Sequence, residues 1–126
     1  IAVLGLTFKP NTDDMREAPS LSIVAGLKAA GANVRVFDPE GMDEAKKSID
    51  ADSVAWCEDA YDAATGADAL TIVTEWNEFR ALDMDRLKDL MTSSVMVDLR
   101  NIYNPDEMRA LGFEYTSVGR AAVPSA

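Results

Sequence analysis

Three basic residues with ligand-binding chemistry follow apolar runs of this chain. Lys9 and Arg16 lie in the polar stretch Thr7–Ala18, directly after the apolar run Ile1–Leu6. Arg100 lies in "DLRN", just after a second apolar run. Ammonium and guanidinium groups form charge-assisted hydrogen bonds with phosphate and carboxylate oxygens. These positions therefore predict an anion-binding site.

A third stretch, "TEWNEFR" (Thr74–Arg80), also follows an apolar run and adds Arg80 to the basic residues. It contributes two aromatic side chains, Trp76 and Phe79, while Phe8 stands beside the lysine of the first stretch. A few cations with aromatic surface suit a ligand that carries phosphate and a flat base. The pattern predicts a nucleotide or sugar-nucleotide site but no particular reaction.

Apolar β-type runs alternate with segments of helical spacing. The predicted strands are Ile1–Leu6, Val34–Phe37, Ala69–Val73, Val95–Val97 and Phe113–Tyr115. The predicted helices include residues 21–27 before Gly31, 58–65, 84–91 after an N-cap at Asp83, and 105–111 before Gly112. This order predicts an α/β fold, a Rossmann-like three-layer domain with a mainly parallel sheet. Ligands bind such sheets beyond the carboxyl ends of the strands, where the three stretches above are placed.

Length and composition limit the number of domains and the classes of partner that this chain can have. The 126 residues suit one domain, which we expect to span residues 1–118 and to end in a flexible tail, 119–126. The net charge of −10, from 12 basic and 22 acidic residues, disfavours nucleic acid and anionic membrane surfaces as partners. No apolar stretch is long enough for a membrane span. The chain starts inside an apparent strand, which suggests a fragment of a larger protein.

Cysteine and histidine usage limits the catalytic options. Cys57 is the only cysteine, which favours a reducing compartment, and no histidine is present to act as a general base or zinc ligand. Without a histidine, Cys57 is expected to be an inert, partly buried thiol. Asp13 and Asp14 are expected to form turns or to pair with Arg16, and we predict no metal site.

Other candidate residues have structural alternatives. Lys9 could be an exposed turn lysine, and Arg100 could pair with Asp98 instead of a ligand. Trp76 and Phe79 are more typical of a core than of a ligand platform. Asp38, at the end of the second predicted strand, could hold a ribose. A helix cap is the favoured interpretation, because the first loop lacks G-x-G-x-x-G.

Four motifs, in order, resemble those of one enzyme family. At "GLTFKPNTDDMREAPSL", "FDPEG", "TEWNEFR" and "VDLRNIYNPDEM" the chain resembles the C-terminal, UDP-sugar-binding domain of the UDP-glucose/GDP-mannose dehydrogenase family. The resemblance covers nearly the whole chain and leans toward the bacterial UDP-glucose branch. It implies that the full-length protein is an NAD-dependent enzyme that oxidises UDP-glucose to UDP-glucuronate in two steps.

The resemblance also implies roles for individual residues. Phe8 and Lys9 match a pair that contacts the sugar diphosphate, Arg100 matches an arginine that contacts the UDP-sugar, and Arg16 matches one that reaches toward the NAD pyrophosphate. The catalytic cysteine and the main NAD site would lie in an N-terminal Rossmann domain and the segment after it. We therefore expect no catalytic residue here and no activity of the chain alone.

The family further implies a cytoplasmic homodimer or larger homo-oligomer. Alternatives remain open at this stage. The same domain could serve a GDP-mannose or UDP-N-acetyl-mannosamine dehydrogenase, or the chain could be a non-catalytic nucleotide-binding module.

Overall fold

In the part of the chain that the structure describes, six short parallel strands form the sheet on which the other elements are arranged. The computed structural model describes residues 1–118, so the tail predicted for residues 119–126 lies outside the described residues. The strands are β1 (Ala2–Leu4), β2 (Arg35–Phe37), β3 (Ala55–Trp56), β4 (Leu70–Ile72), β5 (Val95–Asp98) and β6 (Glu114–Ser117). Their order is β3-β2-β1-β4-β5-β6, and every neighbouring pair is parallel. This is the doubly wound Rossmann order, so the predicted fold class is confirmed.

Within residues 1–118, six helices connect these strands. They are α1 (Pro19–Ala29), α2 (Met42–Ala45), α3 (Ala60–Ala64), α4 (Asn77–Arg80), α5 (Met84–Leu90) and α6 (Pro105–Ala110). The predicted N-cap Asp83 is confirmed, because its carboxylate accepts a hydrogen bond from the Arg86 N–H. Pro105 occupies the first turn of α6, as predicted, where its missing N–H leaves no helical hydrogen bond unmade.

Alternate residues of β1 and β2 pack into two separate hydrophobic clusters. In β1, Ala2 and Leu4 join one buried cluster, whereas Val3 joins the other. The first cluster is covered by α3, α5 and α6, and the second by α1 and α2. Helices therefore lie on both faces of the sheet, which agrees with strands that are apolar on both sides.

Three elements of the structure were not predicted from the sequence. Strand β3 has only two residues, too few to show a periodicity. Helices α2 and α4 have four residues each, and α4 forms the second half of the stretch Thr74–Arg80, for which no helix was predicted. The predicted helix over residues 58–65 is shorter than expected, because Asp59 caps α3 at Ala60.

Candidate functional site

The strand order reverses between β1 and β4, and the loops after these two strands are in direct contact. Gly5 has a φ of +95°, and a Cβ atom on it would lie 2.5 Å from the Thr74 nitrogen. The Thr74 hydroxyl donates a hydrogen bond of 2.7 Å to the Thr7 carbonyl oxygen. A glycine is required at position 5 because any side chain would collide with the neighbouring loop. In doubly wound sheets this reversal marks the ligand crevice.

Asp38, at the end of β2, is 1% exposed and forms hydrogen bonds with the loops after β1, β2 and β4. Its Oδ2 accepts hydrogen bonds from the backbone N–H groups of Leu6 (2.7 Å) and Thr7 (3.0 Å) and from the Thr7 hydroxyl (3.1 Å). The Trp76 indole N–H reaches the same oxygen at 3.2 Å. Its Oδ1 accepts from the N–H groups of Glu40 and Gly41.

These donors decide the role of Asp38. Both carboxylate oxygens are occupied by the protein, so the side chain offers no acceptor to a ribose. The favoured helix-cap interpretation is wrong in detail: Gly41 holds the N-cap position of α2, and α2 has no side-chain cap. Asp38 stabilises the loops after β1, β2 and β4 through buried hydrogen bonds to a charged group, the strong class of such bonds.

The loop after β1 carries the predicted ligand residues at its start. Phe8 is 50% exposed, one of two large exposed apolar side chains among the described residues. Lys9 is also exposed, and its ammonium forms no ion pair within residues 1–118. The Phe8 N–H donates to the Asp14 carbonyl at 2.8 Å, which closes the loop. Asn11 and Glu17 have positive φ values of 64° and 55°. Backbone strain of this kind concentrates at functional loops.

Arg16 lies at the other end of this loop and is already paired. Its Nε and Nη2 donate to the two carboxylate oxygens of Asp14 at 3.1 Å and 2.9 Å, while 89% of its side chain is exposed. Hydrogen bonds from the Arg16 side chain, and next from its backbone N–H, lower the pKa of Asp14 to about 2. The predicted pairing of Asp14 with Arg16 is therefore confirmed.

Two open depressions flank the loop after β1. The larger, of about 620 Å³, is lined by Thr12, Asp13, Asp14, Met15, Arg16, Glu44, Lys47 and Ser48. The smaller, of about 330 Å³, is lined by Asn11, Thr12, Asp13, Glu40 and Trp76. The carboxylates of Asp13 and Glu40 make the smaller one unfavourable for a phosphate. Arg16 lines the larger depression together with Glu44, Lys47 and Ser48, which follow β2, so it lies on the β2 side of the sheet edge.

Arg100 follows β5, on the opposite side of the point where the strand order reverses. Its guanidinium Nε donates to the Glu75 carboxylate, and the arginine side chain stays 44% exposed. The suggested pair with Asp98 is wrong for the side chain. Asp98 accepts instead from the Arg100 backbone N–H at 3.0 Å and from the Tyr115 hydroxyl at 2.5 Å. Asn101 has a φ of 57°, so strain is present beside this arginine as well.

Asp98 is the second buried carboxylate of the sheet edge. Besides Arg100, the backbone N–H groups of Ile102 (2.8 Å) and Tyr103 (3.1 Å) donate to it. It is fully buried, and these bonds fix the backbone of the loop that carries Arg100. The structure therefore holds this arginine by its backbone and by its side chain separately.

Several residues singled out in the sequence have structural roles. Trp76 and Phe79 are buried, which confirms the core interpretation. Cys57 is 5% exposed, more deeply buried than the partly buried thiol that was predicted, and burial raises the pKa of its thiol, which disfavours the reactive thiolate. Arg80 ends α4 and is exposed.

Two features of the site were not predicted from the sequence: Glu75 as a partner of Arg100, and Gly5 as the point of loop contact. A lone glycine directly after a strand was the available signal for such a close approach.

Within residues 1–118, no group of three or more Asp, Glu or Cys residues is arranged to hold a metal ion. In the same part of the chain, no helix is both long and apolar enough to cross a membrane.

Comparisons with known proteins agree with this geometry. The profile of the UDP-glucose/GDP-mannose dehydrogenase family, UDP binding domain, matches residues 2–105. UDP-glucose 6-dehydrogenase of Rhizobium meliloti (strain 1021) is 59% identical over 120 residues, which are 95% of this chain and 27% of that protein. The chain therefore spans about a quarter of the length of such relatives.

Solved structures share the fold. A UDP-glucose dehydrogenase from the archaeon Pyrobaculum islandicum has a TM-score of 0.78 at 33% identity, covering 95% of this chain and 25% of its own. The UDP-N-acetyl-mannosamine dehydrogenase of Staphylococcus aureus has a TM-score of 0.66 at 27% identity, covering 94% and 26%. The resemblance seen in the four sequence motifs is confirmed, and the chain belongs to the UDP-glucose/GDP-mannose dehydrogenase family, whose UDP binding domain it forms.

Proposed function

We propose that this chain is the C-terminal, UDP-sugar-binding domain of an NAD-dependent UDP-glucose 6-dehydrogenase, which oxidises UDP-glucose to UDP-glucuronate in two steps. The observation that carries the proposal is the 59% identity to a UDP-glucose 6-dehydrogenase along 95% of the chain. The geometry is compatible with it, because exposed cations and an exposed aromatic ring lie at the edge where doubly wound sheets bind ligands.

In this proposal the UDP-sugar contacts Phe8, Lys9 and Arg100. The Lys9 ammonium has no ion-pair partner among the described residues and can meet a phosphate oxygen as a point charge. Arg100 has a bond to Glu75 at Nε only, so its two Nη groups can donate to ligand oxygens. The half-exposed ring of Phe8 offers apolar surface beside them.

NAD would be bound mainly by the rest of the enzyme. Residues 1–118 do not form a dinucleotide site of the usual Rossmann kind, since Asp38 has no oxygen left for a ribose. Arg16 is the group that the chain would offer to the NAD pyrophosphate, and it is highly exposed. NAD would supply the hydride acceptor for both oxidation steps.

The remaining chemistry lies outside this chain in our proposal. The full-length enzyme would supply the catalytic cysteine and form a cytoplasmic homodimer or larger homo-oligomer. Within residues 1–118 the one thiol is buried, which makes it a poor nucleophile.

Two measurements test the proposal. The full-length enzyme should produce NADH from UDP-glucose, and more efficiently than from GDP-mannose or UDP-N-acetyl-mannosamine. The isolated 126-residue chain should produce none. A higher kcat/KM for one of the other two sugar nucleotides would assign the enzyme to that branch of the family. NADH formation by the isolated chain would contradict the proposal that the catalytic cysteine and the main NAD site lie outside it.

A further inference from the structure

Three consecutive residues after β4 each bond to a different neighbouring loop. The Thr74 hydroxyl donates to the Thr7 carbonyl at 2.7 Å, in the loop after β1. The Trp76 indole donates to Asp38, at the end of β2. Between them, the Glu75 carboxylate accepts from Arg100, in the loop after β5. The segment 74–76 thus connects all three loops at the ligand edge of the sheet.

The bond to Glu75 fixes one edge of the Arg100 guanidinium and leaves the other open. Only Nε is bonded to the carboxylate, while both Nη groups are without a hydrogen-bond partner within residues 1–118. The backbone of Arg100 is held separately, by its N–H bond to the buried Asp98. A guanidinium whose Nε is occupied presents its two Nη groups as a planar fork, the arrangement that matches paired oxygens of a phosphate.

We propose that Glu75 is a positioning residue for the UDP-sugar, acting by holding Arg100 in the orientation that meets the ligand. This inference rests on the proposed function, and on Arg100 as a ligand contact within it. A free arginine side chain must be immobilised when the ligand binds, which reduces affinity. Glu75 removes that cost by ordering the side chain in advance.

Simple electrostatics gives the opposite expectation, and this makes the inference testable. A carboxylate beside an anion site repels a diphosphate and competes with it for the arginine. If Glu75 only neutralised Arg100, its removal would tighten binding. If Glu75 positions Arg100, its removal weakens binding although a negative charge has been lost.

The experiment uses the full-length enzyme and isothermal titration with UDP-glucose. Glu75→Ala should raise the Kd by about threefold to tenfold, the scale of immobilising one long side chain. Glu75→Gln keeps an oxygen acceptor for Nε and should restore the Kd to within about twofold of the unsubstituted enzyme. Glu78→Ala is the matched control, since it removes the same charge from an exposed position of α4, and no side-chain hydrogen bond or ion pair of Glu78 occurs within the described residues. Thermal melts verify that each variant is folded.

A double-mutant cycle with Arg100→Ala separates the outcomes. In the Arg100→Ala background, Glu75→Ala should cause no further weakening. If Arg100→Ala weakens binding but Glu75→Ala leaves the Kd unchanged or lowers it, the role of Glu75 is overturned and Arg100 stays in the site. If Arg100→Ala leaves the Kd unchanged, the ligand contact and the role of Glu75 are both overturned. Absence of UDP-glucose binding by the unsubstituted enzyme would overturn the proposed function itself.

Discussion

Replacing Gly5 with alanine measures how closely the loops after β1 and β4 approach each other. The new Cβ would lie 2.5 Å from the Thr74 nitrogen and 2.6 Å from the Thr74 Cβ, well inside normal contact. Gly31→Ala provides a matched control. Gly31 has a φ of +90°, against +95° at Gly5, but a Cβ there meets no atom within 4 Å.

Both substitutions destabilise the fold through the backbone conformation, and only Gly5→Ala destabilises it further through a steric overlap. Both place alanine in the left-handed region, which costs about 1–2 kcal/mol of the free energy of unfolding. Only Gly5→Ala adds the overlap with Thr74, and overpacking of this kind costs about 1–3 kcal/mol more. The difference is therefore expected to be about 1–3 kcal/mol. Any gain from a less flexible unfolded chain cancels, because it is the same for both variants.

Urea denaturation of the 126-residue chain is a suitable assay. With a slope of about 2 kcal/mol per molar urea, the midpoint of Gly5→Ala should fall about 0.5–1.5 M below that of Gly31→Ala. Equal midpoints would refute the reasoning. They would mean that Thr74 moves away at no cost, and that the two loops are not held in a fixed relation.

Further predictions concern the charged residues of the site. In the full-length enzyme, Lys9→Ala should raise the KM for UDP-glucose by about tenfold or more, since one charge-assisted contact contributes about 1.5–3 kcal/mol; an unchanged KM would make Lys9 a turn residue only. Arg16→Ala should weaken NAD binding more than UDP-glucose binding in paired titrations, and the reverse order would exchange the two assignments. Arg100→Lys should weaken UDP-glucose binding by about 1–3 kcal/mol. It should leave the melting temperature nearly unchanged, because the pair with Glu75 stays in contact with solvent, with 44% of the arginine and 25% of the glutamate side chain exposed; a stability loss at constant affinity would contradict this. The pKa of Asp14 is lower in the folded chain than its ordinary value of 3.8, so its pair with Arg16 stabilises the folded state above pH 3.8. This contribution to the free energy of unfolding is lost as the pH falls through about 2. An NMR titration should show that pKa returning toward 3.8 in Arg16→Ala, and no change would remove the pair as its cause.

The fold was predictable where the chain carries long apolar runs. The runs that contain β1 and β4 are buried on both faces, so their composition alone indicates a parallel sheet. Strand β3 could not be found this way, because two residues ending in a partly exposed Trp56 carry no pattern. Its place in the sheet depends on pairing with β2, which is a tertiary property.

The candidate site was predictable only in part. The loops and their cations followed from the strand assignment, whereas the partners of the cations did not. Arg100 has an acid two positions before it, Asp98, and the pattern suggested that pair. The strand register determines the actual partner. Ile72 of β4 lies beside Asp98 of β5 in the sheet. Glu75 follows Ile72 by three residues and Arg100 follows Asp98 by two, so the loops after these strands bring Glu75 and Arg100 together. Such a contact cannot be read without the register.

The charge distribution at the sheet edge resolves an apparent conflict in the composition. A chain with a net charge of −10 should repel a sugar nucleotide. Four carboxylates at this edge of the sheet, however, already form hydrogen bonds or ion pairs with other groups of the protein. Asp38 and Asp98 accept buried hydrogen bonds from the loops, while Asp14 and Glu75 pair with arginines. The acids thus order the backbone and side chains around the crevice, and the Lys9 ammonium remains without an ion-pair partner within residues 1–118. Away from the depression lined by Asp13 and Glu40, salt and distance weaken the field of the remaining acids, so in the proposed site the local cations would determine how an anion binds.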